Sequence, residues 1–238
     1  MGARFLPRVN AMKPASSLSG NNPEAARITA ASLVPPRSTI PVLRKAASTC
    51  TACDLWKTAT QTVFGEGTSK AMIMIVGEQP GDQEDRVGRP FVGPAGKLLA
   101  EALAEVGIDR ATVYVTNVVK HFKWSASERG KRRIHKKPRQ SEIQACSPWL
   151  EAELQAIKPK VLVCMGATAA QALFGKDFSV SRLHGQTVES PHAPFAIATM
   201  HPSSILRAAE AGSRQEHMAE FINDLRQVAV IAAKKLAP

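Results

Sequence analysis

Four short apolar runs along the chain have the pattern of buried β-strands. They cover residues 71–77, 113–119, 160–166 and 195–200. Nearly continuous apolar runs of this length are typical of parallel strands that are covered on both faces. Apolar positions recur with helical spacing between and after them, at residues 96–106, 141–157, 167–174 and 214–236. This alternation predicts an α/β fold, a three-layer α/β/α sandwich around a central, mainly parallel four-stranded sheet.

Polar side chains follow each of the predicted strands. Because ligands bind beyond the carboxyl ends of the strands in such sheets, these side chains are the first candidates for a functional site. A structural role is open for each of them, since acids that follow a strand often cap a helix. Their convergence on one edge of the sheet is more informative than any single member. The candidates are Glu78, Gln79 and Asp82 after the first run, Asn117 in the second, residues 166–168 after the third and His201 after the fourth.

A basic segment interrupts the alternation between the second predicted strand and the next helix. Residues 130–138 have the sequence GKRRIHKKP, in which His135 lies among five lysines and arginines. The window 120–139 holds nine lysines and arginines and one acid, nine minus one, or +8. We predict that residues 121–138 form an inserted loop that binds a polyanion, by default nucleic acid, although a solvated loop could have the same composition. Neighbouring cations disfavour protonation of His135, so its neutral imidazole could also act as a nucleophile.

The bulk composition sets the size and class of the protein. The chain has 238 residues, of which 44% are hydrophobic, and this suffices for one sizeable core. Its formal net charge is +11. The first 40 residues are rich in Pro, Ser, Ala and Arg, with Glu24 as their only acid. Residues 1–40 are therefore predicted to be a disordered basic extension of a domain that covers residues 41–238. No apolar run approaches the roughly 20 residues that span a bilayer, and we expect a cytoplasmic protein, with organelle targeting by the extension left open.

Four cysteines form a candidate metal site. Cys50 and Cys53 make a CxxC pair, while Cys146 and Cys164 lie far downstream. Four thiolates suit either zinc or an iron–sulfur cluster, and the lack of a second CxxC pair favours the cluster. The alternative is that Cys164 is simply a buried strand residue, because cysteine packs well among apolar side chains.

Several of these segments resemble one known family. Residues 77–85 (GEQPGDQED) and 88–96 (GRPFVGPAG) resemble motif A of the iron–sulfur uracil-DNA glycosylases of families 4 and 5. Residues 115–120 (VTNVVK) resemble their second-strand segment, and residues 201–205 (HPSSI) resemble their second active-site motif. The resemblance begins near residue 41, continues to the carboxyl terminus and excludes the basic extension. The four cysteines match the spacing of the 4Fe–4S ligands in that family.

The KRRIHKKP segment resembles only one branch of the family, the UdgX-type glycosylases. In that branch the loop histidine becomes covalently joined to the deoxyribose after uracil has left. The Glu78-Gln79 pair is also similar to this branch. The resemblance thus implies a monomeric enzyme that flips uracil out of DNA, preferentially single-stranded DNA, and links itself to the product through His135.

The resemblance also implies roles for individual residues. His135 would attack C1′, Glu78 would orient or deprotonate it, and His201 would stabilise the departing uracil anion. Asn117 would bind the Watson–Crick edge of uracil and Phe91 would stack on the base, although each could instead be an ordinary structural residue. The other implied roles are site shaping and water positioning by Gln79 and Asp82, substrate contact by Gly77, DNA binding by Lys131, Arg132, Arg133, Lys136, Ser203 and Arg207, and 4Fe–4S ligation by Cys50, Cys53, Cys146 and Cys164.

Two other functions are compatible with the same residues. The first is an ordinary multiple-turnover family-4 uracil-DNA glycosylase, in which the basic loop only binds DNA. The second is a non-catalytic iron–sulfur protein that binds single-stranded DNA. The aromatic content of 5% disfavours the second, because such proteins usually stack several bases on aromatic rings.

Overall fold

A central sheet of five strands separates two layers of helices. The computed structural model describes residues 29–128, 130 and 132–236. The strands are β1 (Ile73–Gly77), β2 (Tyr114–Asn117), β3 (Trp124–Ala126), β4 (Arg133–His135), β5 (Val161–Met165), β6 (Thr187–Val188) and β7 (Phe195–Thr199). The helices are α1 (Ile40–Ala47), α2 (Asp82–Val87), α3 (Pro94–Glu105), α4 (Gln140–Ile157), α5 (Ala167–Phe174), α6 (Val180–Leu183), α7 (Pro202–Leu206) and α8 (Ala211–Leu236).

The central sheet has the strand order β2-β1-β5-β7-β6. The first four strands are parallel, which confirms the prediction of an α/β fold with a mainly parallel sheet. The predicted number of four strands is wrong, because β6 adds an antiparallel fifth strand at the edge. This strand has only two residues, Thr187 and Val188, and so short a strand leaves no periodic pattern in the sequence.

Both faces of the sheet are buried, which explains the continuous apolar runs. Along β1, Met74 and Val76 belong to a core that includes residues of α1, α4 and α5. Ile73 and Ile75 point to the opposite face, where they join a core that includes residues of α3 and α8. Successive side chains of a strand alternate between faces, so a strand between two helical layers needs an apolar residue at nearly every position.

The inserted basic segment is a hairpin as well as a loop. β3 and β4 pair in antiparallel fashion as a separate two-stranded sheet, with Trp124 opposite His135. Gly130 allows the turn, because its φ of +67° lies in the left-handed region that favours glycine. The segment 121–138, predicted as an inserted loop, thus contains a hairpin that the sequence did not predict. Strands of only three residues each are too short to show an alternation by which the sequence could have predicted them.

The packed part of the chain begins before the predicted domain boundary at residue 41. Ala30 is fully buried in the core that contains α1 and α4. A short 3₁₀ turn, Ala30–Leu33, also packs against α4. Residues 1–28 of the predicted disordered extension lie outside the described residues, and for them disorder stays a prediction. No helix in the described part of the chain is long and apolar enough to cross a membrane.

A buried ion pair connects the sheet to α4. Lys120 Nζ lies 2.6 Å from Glu153 Oε2, and the two side chains are 1% and 0% exposed. The same ammonium group donates to Thr116 Oγ1 at 2.8 Å and to the main-chain oxygen of Asn117 at 2.5 Å. The hydroxyl group of Tyr114 donates to Glu153. Charges in the interior are tolerated when they are paired and hydrogen-bonded in this way.

Removal of one partner of this pair should destabilise the protein. Lys120→Met leaves the carboxylate of Glu153 buried without its cation, so the free energy of unfolding should fall by about 3–5 kcal/mol in urea denaturation. Lys57→Met is the matched control, because Lys57 pairs with Asp54 on the exposed surface. The control should leave the urea midpoint unchanged. A wild-type midpoint for Lys120→Met would contradict a stabilising role for the pair.

Candidate active site

A cavity of about 830 Å³ opens at the carboxyl edge of the sheet. It lies where the strand order reverses, since the chain passes from β1 to β2 on one side and later to β5 on the other. Ligands bind at this point in open α/β sheets. The structure thus brings together most of the residues that the sequence predicted for the site. Its walls include Glu78, Gln79, Phe91, Asn117, His135, Thr168, His201, Ser203 and Arg207.

The floor of the cavity is formed by Asn117 beside Gly77. The two residues are paired in register on neighbouring strands, and a Cβ atom on Gly77 would lie 2.5 Å from Asn117 Oδ1 and 2.8 Å from Phe91 Cζ. Glycine is therefore required for these two side chains to approach the strand. Asn117 Oδ1 is buried and has no hydrogen-bond partner among the described residues. An unsatisfied buried acceptor costs about 1–3 kcal/mol, so this atom is suited to a ligand N–H group.

Phe91 forms one wall in a conformation that few non-glycine residues adopt. Its φ is +56°, in the left-handed region. A Cβ atom on Gly96 would lie 1.8 Å from the main-chain oxygen of Phe91, so the absence of a side chain at Gly96 allows this turn. The Phe91 ring stacks towards His201, with ring centroids 6.5 Å apart and planes 29° apart. Strain of this kind is common where a side chain must be held against a ligand.

His201 presents an N–H group to the cavity. It precedes α7, and its Nδ1 atom accepts a hydrogen bond from the main-chain N–H of Ser203 at 3.1 Å. In the neutral ring the proton therefore lies on Nε2, which is the nitrogen nearest to Gly77. Burial, with smaller contributions from Arg207 and His135, lowers the pKa of His201 to about 4. The ring is thus a neutral donor at neutral pH.

His135 presents a lone pair from the hairpin. Its Nε2 atom lies 2.8 Å from Gln79 Nε2 and 3.6 Å from Glu78 Oε1. Because an amide nitrogen can only donate, the Nε2 atom of His135 accepts, and the proton of the neutral ring lies on Nδ1. Burial lowers the pKa of His135 below its usual value, Glu78 opposes this, and Arg207 adds to it. The side chain is 47% exposed and lines the cavity.

Gln79 also fixes the position of the hairpin. Its side-chain nitrogen donates to the main-chain oxygen of Lys136 at 3.0 Å, and its oxygen accepts from the main-chain N–H of Lys123 at 3.0 Å. Lys123 and Lys136 lie at the two open ends of the hairpin. The sequence assigned Gln79 to site shaping and water positioning, and the structure adds that this buried amide anchors both hairpin strands.

Arg133 does not have the free guanidinium group that the sequence predicted for phosphate binding. The group forms ion pairs with Asp82 and, at 2.6 Å, with Asp85, and only 14% of the side chain is exposed. It also lies over the rings of Phe122 and Trp124, at 5.3 Å and 5.5 Å. Arg133 thus anchors β4 to α2. Two carboxylates satisfy its charge, which corrects the prediction of a DNA contact.

Asp82 also differs from its predicted role. It pairs with Arg86 and Arg133 and, within the described part of the chain, does not line the cavity. Arg132 and Lys136 are exposed on the hairpin and remain available to bind phosphate, whereas Lys131 lies outside the described residues. Sequence reasoning assigned no role to Thr168 itself, whose hydroxyl group donates to Glu78 Oε2. Its position just after the third predicted strand was the available signal.

The four cysteines share one face of the sheet. Cys50, Cys146 and Cys164 belong to the core that contains α1 and α4, and Cys53 packs against it. Burial raises the pKa of Cys146 to about 12, with Lys120 opposing the rise and the nearby Cys53 and Cys50 contributing to it. Cys164 lies on β5, where burial alone raises its pKa.

Two N–H groups point at these sulfur atoms. The main-chain N–H of Lys120 donates to Cys146 Sγ at 3.3 Å, and Trp149 Nε1 donates to Cys50 Sγ at 3.2 Å. Donors of this kind are typical of thiolates that hold an iron–sulfur cluster. Within the described residues, however, no three side chains of His, Cys, Asp or Glu have converged closely enough to hold a single metal ion. The donor chemistry of the four cysteines fits a cluster.

Comparison with known proteins agrees with this site. Residues 64–226 match the uracil DNA glycosylase superfamily. A type-4 uracil-DNA glycosylase of Archaeoglobus fulgidus is 38% identical over 193 residues, which cover 78% of this chain and 89% of the relative. A second type-4 enzyme, from Thermotoga maritima, is 41% identical over 159 residues, which cover 66% and 78%.

A type-5 enzyme is more distant. The type-5 uracil-DNA glycosylase of Pyrobaculum aerophilum is 28% identical over 191 residues, which cover 73% of this chain and 76% of the relative. The segment 64–226, which matches the superfamily, contains β1 to β7 and every residue that lines the cavity. The cavity, its paired histidines and these similarities lead to one conclusion: the chain belongs to the uracil DNA glycosylase superfamily.

Proposed function

We propose that this protein excises uracil from single-stranded DNA and then becomes covalently joined to the abasic deoxyribose through His135. The observation that carries the proposal is the presence of two histidines in opposite tautomers in one cavity. His201 offers an N–H group and His135 offers a lone pair. The type-4 relatives support uracil excision, while the covalent step rests on His135 and its hairpin.

Uracil recognition is assigned to Asn117. Its buried Oδ1 atom can accept from N3–H of uracil, and its amide nitrogen can donate to O4. Cytosine has an acceptor at N3 and would leave Oδ1 unsatisfied, which a buried site penalises strongly. Phe91 stacks on the base. Because all of these groups lie inside the cavity, the nucleotide must leave the base stack to reach them.

Cleavage breaks the bond between C1′ and N1, and its electron pair moves to uracil. The Nε2–H group of His201 donates to the uracil O2 atom, where negative charge develops, and donors in such sites are worth about 10²–10³ in rate. The carboxylate of Glu78, held by Thr168, lies on the side of the developing sugar cation. Arg207, at the cavity wall, binds the adjacent phosphate.

Capture forms a new bond between His135 Nε2 and C1′. The lone pair leaves its hydrogen bond with Gln79 and attacks the sugar cation, so the ring becomes a cation that still carries its Nδ1 proton. The uracil anion takes up a proton from solvent. Glu78 stabilises the positive ring, since its carboxylate lies 3.6 Å from the atom that is alkylated. A water molecule at the same position would instead give ordinary hydrolysis.

Incubation with uracil-containing single-stranded DNA should yield a protein–DNA species that survives boiling in SDS. His135→Ser should remove this species, because serine cannot reach C1′ with a comparable lone pair. Release of free uracil should continue in the variant with repeated turnover, since Asn117 and His201 are unchanged. His217→Ser is the matched control, because His217 lies on α8 away from the cavity walls. Many turnovers by the wild type without an SDS-stable species would contradict the covalent step.

The rate of covalent capture should depend on pH through His135. Only the neutral ring has a lone pair, and burial lowers the pKa of His135 below its usual 6.5. The single-turnover rate of adduct formation should therefore be constant above pH 6.5 and fall as the pH drops through the lowered pKa. Uracil release by His135→Ser should not show this decrease. A decrease with a midpoint above 6.5 would mean that the ring is stabilised in its protonated form.

We also propose that Cys50, Cys53, Cys146 and Cys164 hold a 4Fe–4S cluster. When bound, the cluster would serve as a structural cross-link between the CxxC segment, α4 and β5. The purified protein should absorb broadly near roughly 400 nm and contain iron and acid-labile sulfide. Cys146→Ser should lose both signals and lower the melting temperature. A colourless protein with stoichiometric zinc would contradict the assignment.

A further inference from the structure

A second cavity continues from the active site along the surface. It has a volume of about 490 Å³ and lies between α4 and α5. Thr168 and Lys137 line both cavities, so the two are adjacent. Volumes of about 300–1,000 Å³ are usual for sites that bind small organic groups. We refer to this second cavity as the α4–α5 groove.

The lining of the α4–α5 groove suits an unpaired nucleobase. Its larger apolar residues, which are buried or half-buried, offer a flat group a surface from which water is excluded. Amide side chains of Gln140 and Gln171 lie beside this surface and can bind the edge of a base. The apolar residues are Val118, Ile143, Leu150 and Leu173.

Charge is ordered along the groove. Lys137 lies at the end shared with the active site, and Lys176 follows the carboxyl end of α5. The one carboxylate in the lining, Glu151, lies three turns along α4 from Gln140, close to His192. Burial lowers the pKa of His192, which leaves a neutral ring on which a base can stack. A phosphate is therefore favoured near Lys137, with its base directed towards His192.

We propose that the α4–α5 groove binds the nucleotide next to the flipped uridine, with its base unpaired. The proposal rests on the proposed function, since it needs uridine in the active site. Because Thr168 and Lys137 line both the active-site cavity and the α4–α5 groove, the occupant of the groove is the same DNA strand rather than a separate ligand. A base that enters the groove cannot remain paired, so the groove accounts for a preference for single-stranded DNA.

The test measures binding of short fluorescent oligonucleotides by anisotropy. Each contains 2′-fluoro-2′-deoxyuridine, whose fluorine destabilises the sugar cation and slows loss of uracil. In the full oligonucleotide the uridine has a neighbouring nucleotide on both sides. Two truncated oligonucleotides lack the neighbour on the 5′ side or on the 3′ side, and two others have an abasic neighbour on one of these sides. Wild-type protein should bind about 10-fold more weakly when the neighbour on one particular side is missing or abasic. Equal binding of all these oligonucleotides would contradict the proposal.

Two variants assign that loss to the groove. Lys176→Glu reverses a charge and Ala172→Leu fills space from an exposed helical position, so neither should disturb folding. Both should weaken binding of the full oligonucleotide about 5- to 10-fold and leave binding of the truncated one unchanged. Lys70→Glu is the control, because Lys70 is exposed before β1, at the opposite edge of the sheet.

The outcomes separate this proposal from the proposed function. The groove assignment would be overturned if both groove variants bound the oligonucleotides as tightly as the wild type does. It would also be overturned if the variants weakened binding of the full and the truncated oligonucleotides equally. In either case uracil release from ordinary deoxyuridine substrates would continue. Absence of uracil release from every deoxyuridine substrate would contradict the proposed function instead. The anisotropy differences would then still decide whether the groove binds a nucleotide.

Discussion

The buried pair of Lys120 and Glu153 joins the parts of the molecule that function requires. Its ammonium group holds the end of β2 through the main-chain oxygen of Asn117, and the main-chain N–H of Lys120 points at Cys146. The carboxylate ties α4 to the hydroxyl groups of Tyr114 and Thr116 on the same strand. A charged pair in such a place is demanding, because each partner is tolerated only while the other remains. The cavity floor, the cysteine region and the start of the hairpin segment thus share one set of contacts.

Above this floor, the site uses two neutral imidazoles in opposite tautomers. Ser203 fixes the proton of His201 on the cavity-facing nitrogen, and Gln79 fixes that of His135 on the nitrogen facing away. Burial lowers both pKa values, so neither ring depends on its ordinary titration near pH 6.5. One ring can stabilise a departing anion and the other can attack a cation, although the two residues are chemically identical. Their hydrogen-bond partners make the difference.

The sequence predicted the four parallel strands, four of the helices and most of the cavity walls. It did so because strands covered on both faces must be apolar throughout, and because functional side chains collect where such strands end. It could not predict the role of Arg133, since ion pairing with Asp82 and Asp85 depends on a tertiary approach across about 50 residues of chain that charge counts do not contain. The hairpin and β6 were missed for a related reason: two or three residues are too few to show a period.

The hairpin is a sheet of its own. Within the described part of the chain it forms no main-chain ladder with the central strands, and side chains hold it in place, among them Gln79, Arg133 and Trp124. On the proposed function, the scaffold below it already has a base-binding amide and a leaving-group donor without it. Excision would then belong to the scaffold, and capture to an accessory element that could be transplanted as a unit. On the same proposal the protein acts as a stoichiometric reagent: the number of lesions it can mark is limited by how many copies are made, not by how fast each one works.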